Sequence, residues 1–231
     1  MTVKNRLLLL LIVVIGFSLR GYHLGKESLW ADEGASAFYS RMSLKESFAT
    51  VLNEDVHIPI YYSLLHFWIK IFGDSEFSLR FPSVIFGVLV ILMMYKVGSL
   101  LFDKNTGIMS SLITCFSIFH IQLSQEARAY SLMAFLMLLS MFFFLKLLNK
   151  ESIVNAIGYI VSSVLLIYIH YFGIQILLVQ NIYLGSMFLL NRGFFFTLAE
   201  VDFISIHCYY FAYTYDNNRN TANASFGNIA E

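Results

Sequence analysis

Charge is what this sequence has least of. Only 13% of its 231 residues are Asp, Glu, Lys or Arg, against 58% hydrophobic, and mean hydropathy is +0.69. A water-soluble domain is about a quarter charged, so this chain lacks what a solvated exterior needs. Lipid is the expected solvent. Charge of one sign is missing too: 15 basic residues balance 15 acidic ones, which removes the electrostatic basis for a nucleic-acid partner. The two cysteines, Cys115 and Cys208, lie far apart in apolar or aromatic surroundings. They read as small apolar residues, not as a disulfide or metal pair. Proline occurs twice, and few Gly or Pro residues break the apolar runs, which speaks against the interrupted helices of a transporter. There is no internal repeat.

What the chain does have is a series of apolar runs. Lys4 and Arg6 precede the first, 7–19, in the manner of a secretory signal. The small-residue triplet Ala35-Ser36-Ala37 lies too far beyond it to be a cleavage site, so an uncleaved membrane helix is expected, with Arg20 snorkelling to the interface beside Tyr22. Further runs cover 81–102, 106–123, 129–148, 153–169 and 174–190. Most approach the roughly 20 residues needed to cross a bilayer core, and the short joints between them make neighbours antiparallel. The expected fold is all-α: a polytopic bundle of about six membrane helices, residues 1–192.

Between residues 20 and 80 the character changes. Glu27, Asp32, Glu33, Glu46, Glu54, Asp55, Asp74 and Glu76 gather there, with His23, His57 and His66. Segments 36–52 and 60–72 alternate apolar and polar residues at helical spacing, as amphipathic helices lying along a membrane surface would. With the N-terminus inside, the short inner joints hold Lys4, Arg6, Lys104, Lys146, Lys150 and Arg192; the 20–80 segment spreads a similar number over a longer stretch. The positive-inside rule then puts the acidic segment, His120, Glu126 and His170 at the outer face. From residue 194 the pattern degrades: Glu200 and Asp202 interrupt it, and 193–231 is expected to be a poorly ordered tail.

Several polar residues could carry chemistry. Asp32 and Glu33, in Ser28-Leu29-Trp30-Ala31-Asp32-Glu33, could supply a general base or hold a divalent cation, or could form a solvated acidic loop. His57, ahead of Pro59, Tyr61 and Tyr62, could bind phosphate or metal, or sit at the headgroup level with the tyrosines as anchors. Ser124-Gln125-Glu126-Ala127-Arg128-Ala129-Tyr130 is a tight joint in which charges are expensive unless they pair or serve a site. A structural Glu126–Arg128 pair is one reading. Arg80 could bind a phosphate or snorkel, and His170 could face the site or anchor at the interface.

The order of these blocks, with Phe72-Gly73-Asp74-Ser75-Glu76-Phe77-Ser78-Leu79-Arg80-Phe81-Pro82-Ser83, resembles GT-C glycosyltransferases. The closest group is the protein O-mannosyltransferase-like family, which is similar to the lipid A aminoarabinose transferases. Gln125 to Tyr130 resembles a motif of its prokaryotic members. The resemblance implies an enzyme of the cytoplasmic membrane that moves a sugar from a polyprenyl-phosphate carrier to a hydroxyl of a glycan, lipid or protein on the outer face, usually with inversion. It implies Asp32 as general base with Glu33 beside it. His57 falls where relatives put a charged or metal-associated residue, so Glu33 and His57 are the candidates should a divalent metal ion be required. Electrostatics makes Arg80 and Arg128 candidates for the donor phosphate; Tyr61, Tyr62, Glu126, Tyr130 and His170 complete the expected substrate-binding set. Such enzymes usually continue for several more membrane helices, so the chain reads as an N-terminal half. A non-catalytic membrane fragment or subunit, and a transporter, are the alternatives.

Overall fold

The computed structural model describes residues 3–54 and 60–190. His57 and the 193–231 tail lie outside the described residues. Among the described residues ten α-helices follow one another: α1 Val3–Gly21, α2 Ala31–Arg41, α3 Leu44–Glu54, α4 Ile60–Phe72, α5 Glu76–Leu101, α6 Lys104–Phe116, α7 Ile118–Ser124, α8 Tyr130–Asn149, α9 Ile153–Ile169 and α10 Ile174–Leu190, with one 3-10 turn at Tyr171–Gly173. No strand occurs among the described residues. The all-α bundle is the observed fold, and all six apolar runs are helical.

By length and composition, α5 and α8 can each cross a membrane, and α6 with α7 makes a third span if the bent pair counts as one. α9 and α10 have 17 residues each, near the short limit. Outward faces carry apolar stripes: Leu7, Leu11, Val14 and Phe17 on α1, and Ile153, Ile157, Val161 and Leu165 on α9, are exposed at helical spacing. Such stripes suit lipid contact.

α5 is the central element, packed against α6, α8 and α1, while α8 also packs on α9. α2, α3 and α4 form a layer at the end where α1, α7 and α9 finish and α5 and α8 begin. α4 docks that layer: Tyr61, Tyr62 and Leu65 pack with Ala129, Leu132 and Leu136 of α8 and with Leu166 and Ile169 of α9. Burying each such side chain contributes about 1.5–3 kcal/mol against water.

Local chemistry sets the breaks. Gly73, at φ 78°, ends α4 in the left-handed conformation, and its N–H donates to the Ile69 carbonyl at 2.9 Å, an αL cap. Ser75 then caps α5 by accepting the Ser78 N–H at 3.3 Å. Pro82 lies inside α5 and has no N–H for the Ser78 carbonyl; the Trp68 indole N–H of α4 donates to that carbonyl instead, at 3.0 Å. The amphipathic run expected at 36–52 divides into α2 and α3 at Ser43, where Ser43 and Glu46 form a reciprocal cap: the Glu46 N–H reaches Ser43 Oγ at 3.3 Å and the Ser43 N–H reaches Glu46 Oε2 at 3.2 Å. That is a capping box.

Two expectations are corrected. The run 106–123 is not one helix: it bends by 65° between α6 and α7, where Ser117 Oγ takes the His120 N–H at 3.4 Å. Arg20 does not snorkel. It is fully buried, because the bend leaves carbonyls at the end of α6 that its guanidinium satisfies.

α5 and α6 approach closely through glycines. A Cβ at Gly107 would collide with Ser99 Oγ and come within 2.6 Å of the Tyr95 carbonyl, and one at Gly98 would lie 3.1 Å from the Gly107 Cα. Small residues allow this backbone contact. Gly107→Leu is expected to lower the melting temperature in detergent by the equivalent of about 3 kcal/mol or more, since backbone cannot yield as a side chain can. Gly185→Ala, which meets nothing within 4 Å, is expected to leave it unchanged or raise it by up to about 1 kcal/mol.

Candidate functional site

Asp32 and Glu33 occupy the first turn of α2, and one helical step of about 100° sends them in different directions. Glu33 is 1% exposed and turned into the protein. Its Oε1 accepts from Arg80 Nε at 2.8 Å and from the Ala127 N–H at 2.8 Å. Its Oε2 accepts from Arg80 Nη2 at 2.6 Å and from the Trp30 N–H at 3.4 Å. Four acceptor positions are thereby filled. Burial would raise the Glu33 pKa, but the Arg80 hydrogen bonds and charge, with the Ala127 and Trp30 amides, outweigh it and hold the carboxyl below its ordinary value.

Arg80 is equally saturated. Beyond the bidentate pair, its Nη1 donates to the Leu24 and Glu27 carbonyls at 2.9 and 2.8 Å, and its Nη2 to the Ser28 carbonyl at 3.2 Å. All five guanidinium N–H groups are accounted for. Glu33 and Arg80, both expected on the reactive side, hold each other. No acceptor on Glu33 is left for a metal ion and no donor on Arg80 for a phosphate. Among the described residues, no three His, Cys, Asp or Glu side chains converge as a metal site would require.

Asp32 points the other way, its side chain 48% exposed, with Oδ2 3.7 Å from Arg128 Nη2. Arg128 also donates to the Asp32 carbonyl at 3.4 Å and lies 5.8 Å from the Tyr130 ring centroid, within cation–π range. Arg128 is thus directed at Asp32 and Tyr130, whereas the sequence suggests Glu126 as its partner. Glu126 is half-buried. Burial, then the charge of Glu33, pushes its carboxyl above the usual range; Arg128 pulls it back and Asp32 adds to the rise.

The joint between α7 and α8 is held at three points. Gln125 Nε2 donates to the Arg20 and Tyr22 carbonyls at 3.2 and 2.9 Å, closing the end of α1. The Ala127 N–H goes to Glu33. The Arg128 carbonyl accepts from Ser83 Oγ at 3.2 Å. Since Ser83 spends its proton there, the Tyr61 hydroxyl, 3.2 Å from Ser83 Oγ, is the donor of that second bond.

Around Arg128 lies a small cleft of about 10 Å³ with eight lining residues. Tyr61, Tyr62, Arg128, Tyr130 and His170 are expected site residues, brought together from α4, α8, the α7–α8 joint and the turn after α9; Ser36, Ala129 and Ile169 are not. His170 caps that turn: its Nδ1 accepts the Phe172 N–H at 3.2 Å, which leaves the ring proton of the neutral form on Nε2. Its ring stacks on Phe172. Ser36, one turn beyond Asp32, and Ser83, which bonds the Arg128 carbonyl, escape sequence reasoning, because a lone serine in a helix carries no signal.

A helical membrane protein with an acidic residue, a cation and three tyrosines at one end of its bundle is the class this architecture defines. Residues 56–193 match the family described as dolichyl-phosphate-mannose-protein mannosyltransferase. The chain belongs to that family, which is of GT-C glycosyltransferase type. The match takes in Tyr61, Tyr62, Arg80, Glu126, Arg128, Tyr130 and His170; Asp32 and Glu33 precede it. No curated protein matches the chain.

Glu33→Gln is expected to cost about 3–5 kcal/mol at neutral pH, because it leaves the buried Arg80 charge uncompensated. A carboxyl with a depressed folded-state pKa contributes stability above its unfolded pKa and loses it as pH falls through the folded value. Wild-type stability in detergent should therefore decline below the ordinary carboxylate range, and a pH series of melting curves should show a shallower decline in Glu33→Gln.

Proposed function

We propose that this membrane protein of the mannosyltransferase family transfers a sugar from a polyprenyl-phosphate donor to a hydroxyl of a glycan, lipid or protein acceptor. The observation that carries the reading is the half-exposed Asp32 carboxylate 3.7 Å from Arg128, itself a lining residue of a cleft that several separate segments of the chain build. A base and a cation are the two groups such a transfer asks of a protein.

In this reaction the acceptor hydroxyl oxygen bonds to the anomeric carbon of the donor. Its proton passes to the Asp32 carboxylate. The bond from that carbon to the phosphate oxygen breaks with its electron pair, and the carrier leaves as polyprenyl phosphate, with inversion at carbon. Arg128 meets the charge growing on the leaving phosphate. Tyr61, Tyr62, Tyr130 and His170 line the cleft beside Arg128, which at about 10 Å³ is water-sized as it stands and must widen to take the sugar and phosphate, and Glu126 lies near as a second acid. Glu33 and Arg80 act behind them by holding the first turn of α2.

The reaction takes place on the outer face of the cytoplasmic membrane, with the N-terminus inside. Lys4, Arg6, Lys104, Lys146 and Lys150 stand at the end of the bundle opposite the cleft, which supports that orientation.

The test is release of polyprenyl phosphate from labelled polyprenyl-phosphate sugars in membranes containing the chain, beside Asp32→Asn at equal abundance. Loss of a general base should cut release by about 10²–10⁴-fold. Equal release by the two proteins would overturn the assignment of Asp32.

A further inference from the structure

We infer that Arg20, buried and outside the lining of the cleft, is a positioning residue for Arg128, and that it acts through a reciprocal latch with Gln125. This rests on the functional reading above only for its effect on turnover; the latch itself stands on geometry.

A guanidinium with no exposed surface inside an apolar bundle is costly unless something in the structure depends on it. Arg20 Nη2 donates to the Thr114 carbonyl at 3.0 Å and lies 2.9 Å from His120 Nδ1. Its Nη1 donates to the Cys115 carbonyl at 3.3 Å and to the Gly16 carbonyl of its own helix at 3.0 Å. Arg20 is always a donor, so His120 Nδ1 is the acceptor. Thr114 and Cys115 are in the last turn of α6, directly before the 65° bend. A straight helix would pair their carbonyls with the N–H groups of residues 118 and 119. The bend removes those groups, and Arg20 replaces them from α1. His120, three residues past the bend, ties the first turn of α7 to the same guanidinium.

The return contact comes from the other end of α7. Gln125 donates to the carbonyls of Arg20 and Tyr22, with Leu19 at 3.5 Å. Side chain from α1 to the bend and side chain from the joint to α1 thus close a loop around α7. Only one turn of chain separates Gln125 from Arg128, and the Ala127 amide between them is bonded to Glu33. The direction in which α7 leaves the bend therefore decides where Arg128 stands relative to Asp32. Bulk is excluded on the inner side: a Cβ at Gly87 would collide with Ser124 Oγ and lie 3.2 Å from Arg20 Cδ. α7 cannot shift inward to compensate.

The experiment compares the full chain with Arg20→Met and Gln125→Leu in detergent micelles, by hydrogen exchange read on peptides spanning 123–130 and 60–72. Either substitution should speed exchange in 123–130 by about tenfold or more, with 60–72 unchanged. Equal acceleration in both peptides would mean general destabilisation, and no acceleration would mean no latch; either overturns the inference. If Arg20→Met does not accumulate, Arg20→Lys carries the comparison, since an ammonium cannot span two carbonyls and the His120 ring from one point. Turnover supplies the second readout. A shift of order 1 Å in Arg128 should lower kcat/KM for the donor by about 10²-fold per folded molecule, whereas a merely structural role would reduce the folded amount alone. Altered exchange in a chain without wild-type turnover would sustain the latch and sink the transferase reading.

Discussion

A single ion pair sealed from solvent sets the terms for this end of the molecule. Glu33 and Arg80 join α2 to the N-terminal end of α5 with bonds of 2.8 and 2.6 Å, and every remaining donor and acceptor of the two groups is given to backbone. Desolvating two charges costs several kcal/mol each, which their attraction offsets only when geometry and hydrogen bonding are this complete. The pair also gathers the loop before α2, through the carbonyls of residues 24, 27 and 28, and the α7–α8 joint, through the Ala127 amide. Four chain segments meet at one salt bridge. Removing either partner strands the other charge and frees all four.

The cleft follows from that clamp. With Glu33 fixed inward, the next residue round the helix, Asp32, is turned toward Arg128 and solvent. The joint that carries Arg128 assigns a separate task to each of its residues: Gln125 closes α1, Ala127 binds Glu33, and the Arg128 carbonyl takes the Ser83 hydroxyl while its guanidinium faces Asp32. α4 fits its tyrosines beneath through the apolar contacts of Leu65 with α8 and α9. Each polar joint is short, so side-chain bonds rather than loop length determine where Arg128 lies.

Much of the fold was legible in the sequence because hydrophobic periodicity reports directly on helices. The runs 153–169 and 174–190 coincide with α9 and α10, and 129–148 differs from α8 by one residue at each end. The bend at Ser117 was not legible, since its flanks are continuously apolar and the side chain that satisfies its freed carbonyls, Arg20, lies about a hundred residues away in the chain. For the same reason Arg20 read as an interfacial cation. The split between α2 and α3 was available in Ser43-x-x-Glu46 but was overridden by the apolar spacing on either side. For the candidate site, residue types and order were visible, and contacts were not. Two adjacent carboxylates look alike in a sequence; which one is buried depends on Arg80, 47 positions on. The resemblance to GT-C enzymes reached the family itself, which the match over 56–193 shows.

The most direct test of the clamp is a double-mutant cycle on Glu33→Gln and Arg80→Gln, read as unfolding free energy in one detergent at neutral pH. If the two residues act as one unit, the double variant should lose little more than either single variant, giving a coupling of about 2 kcal/mol or more. Losses that simply add would mean that each side chain is held by its backbone partners alone, and the salt bridge would not be the constraint on which the cleft depends.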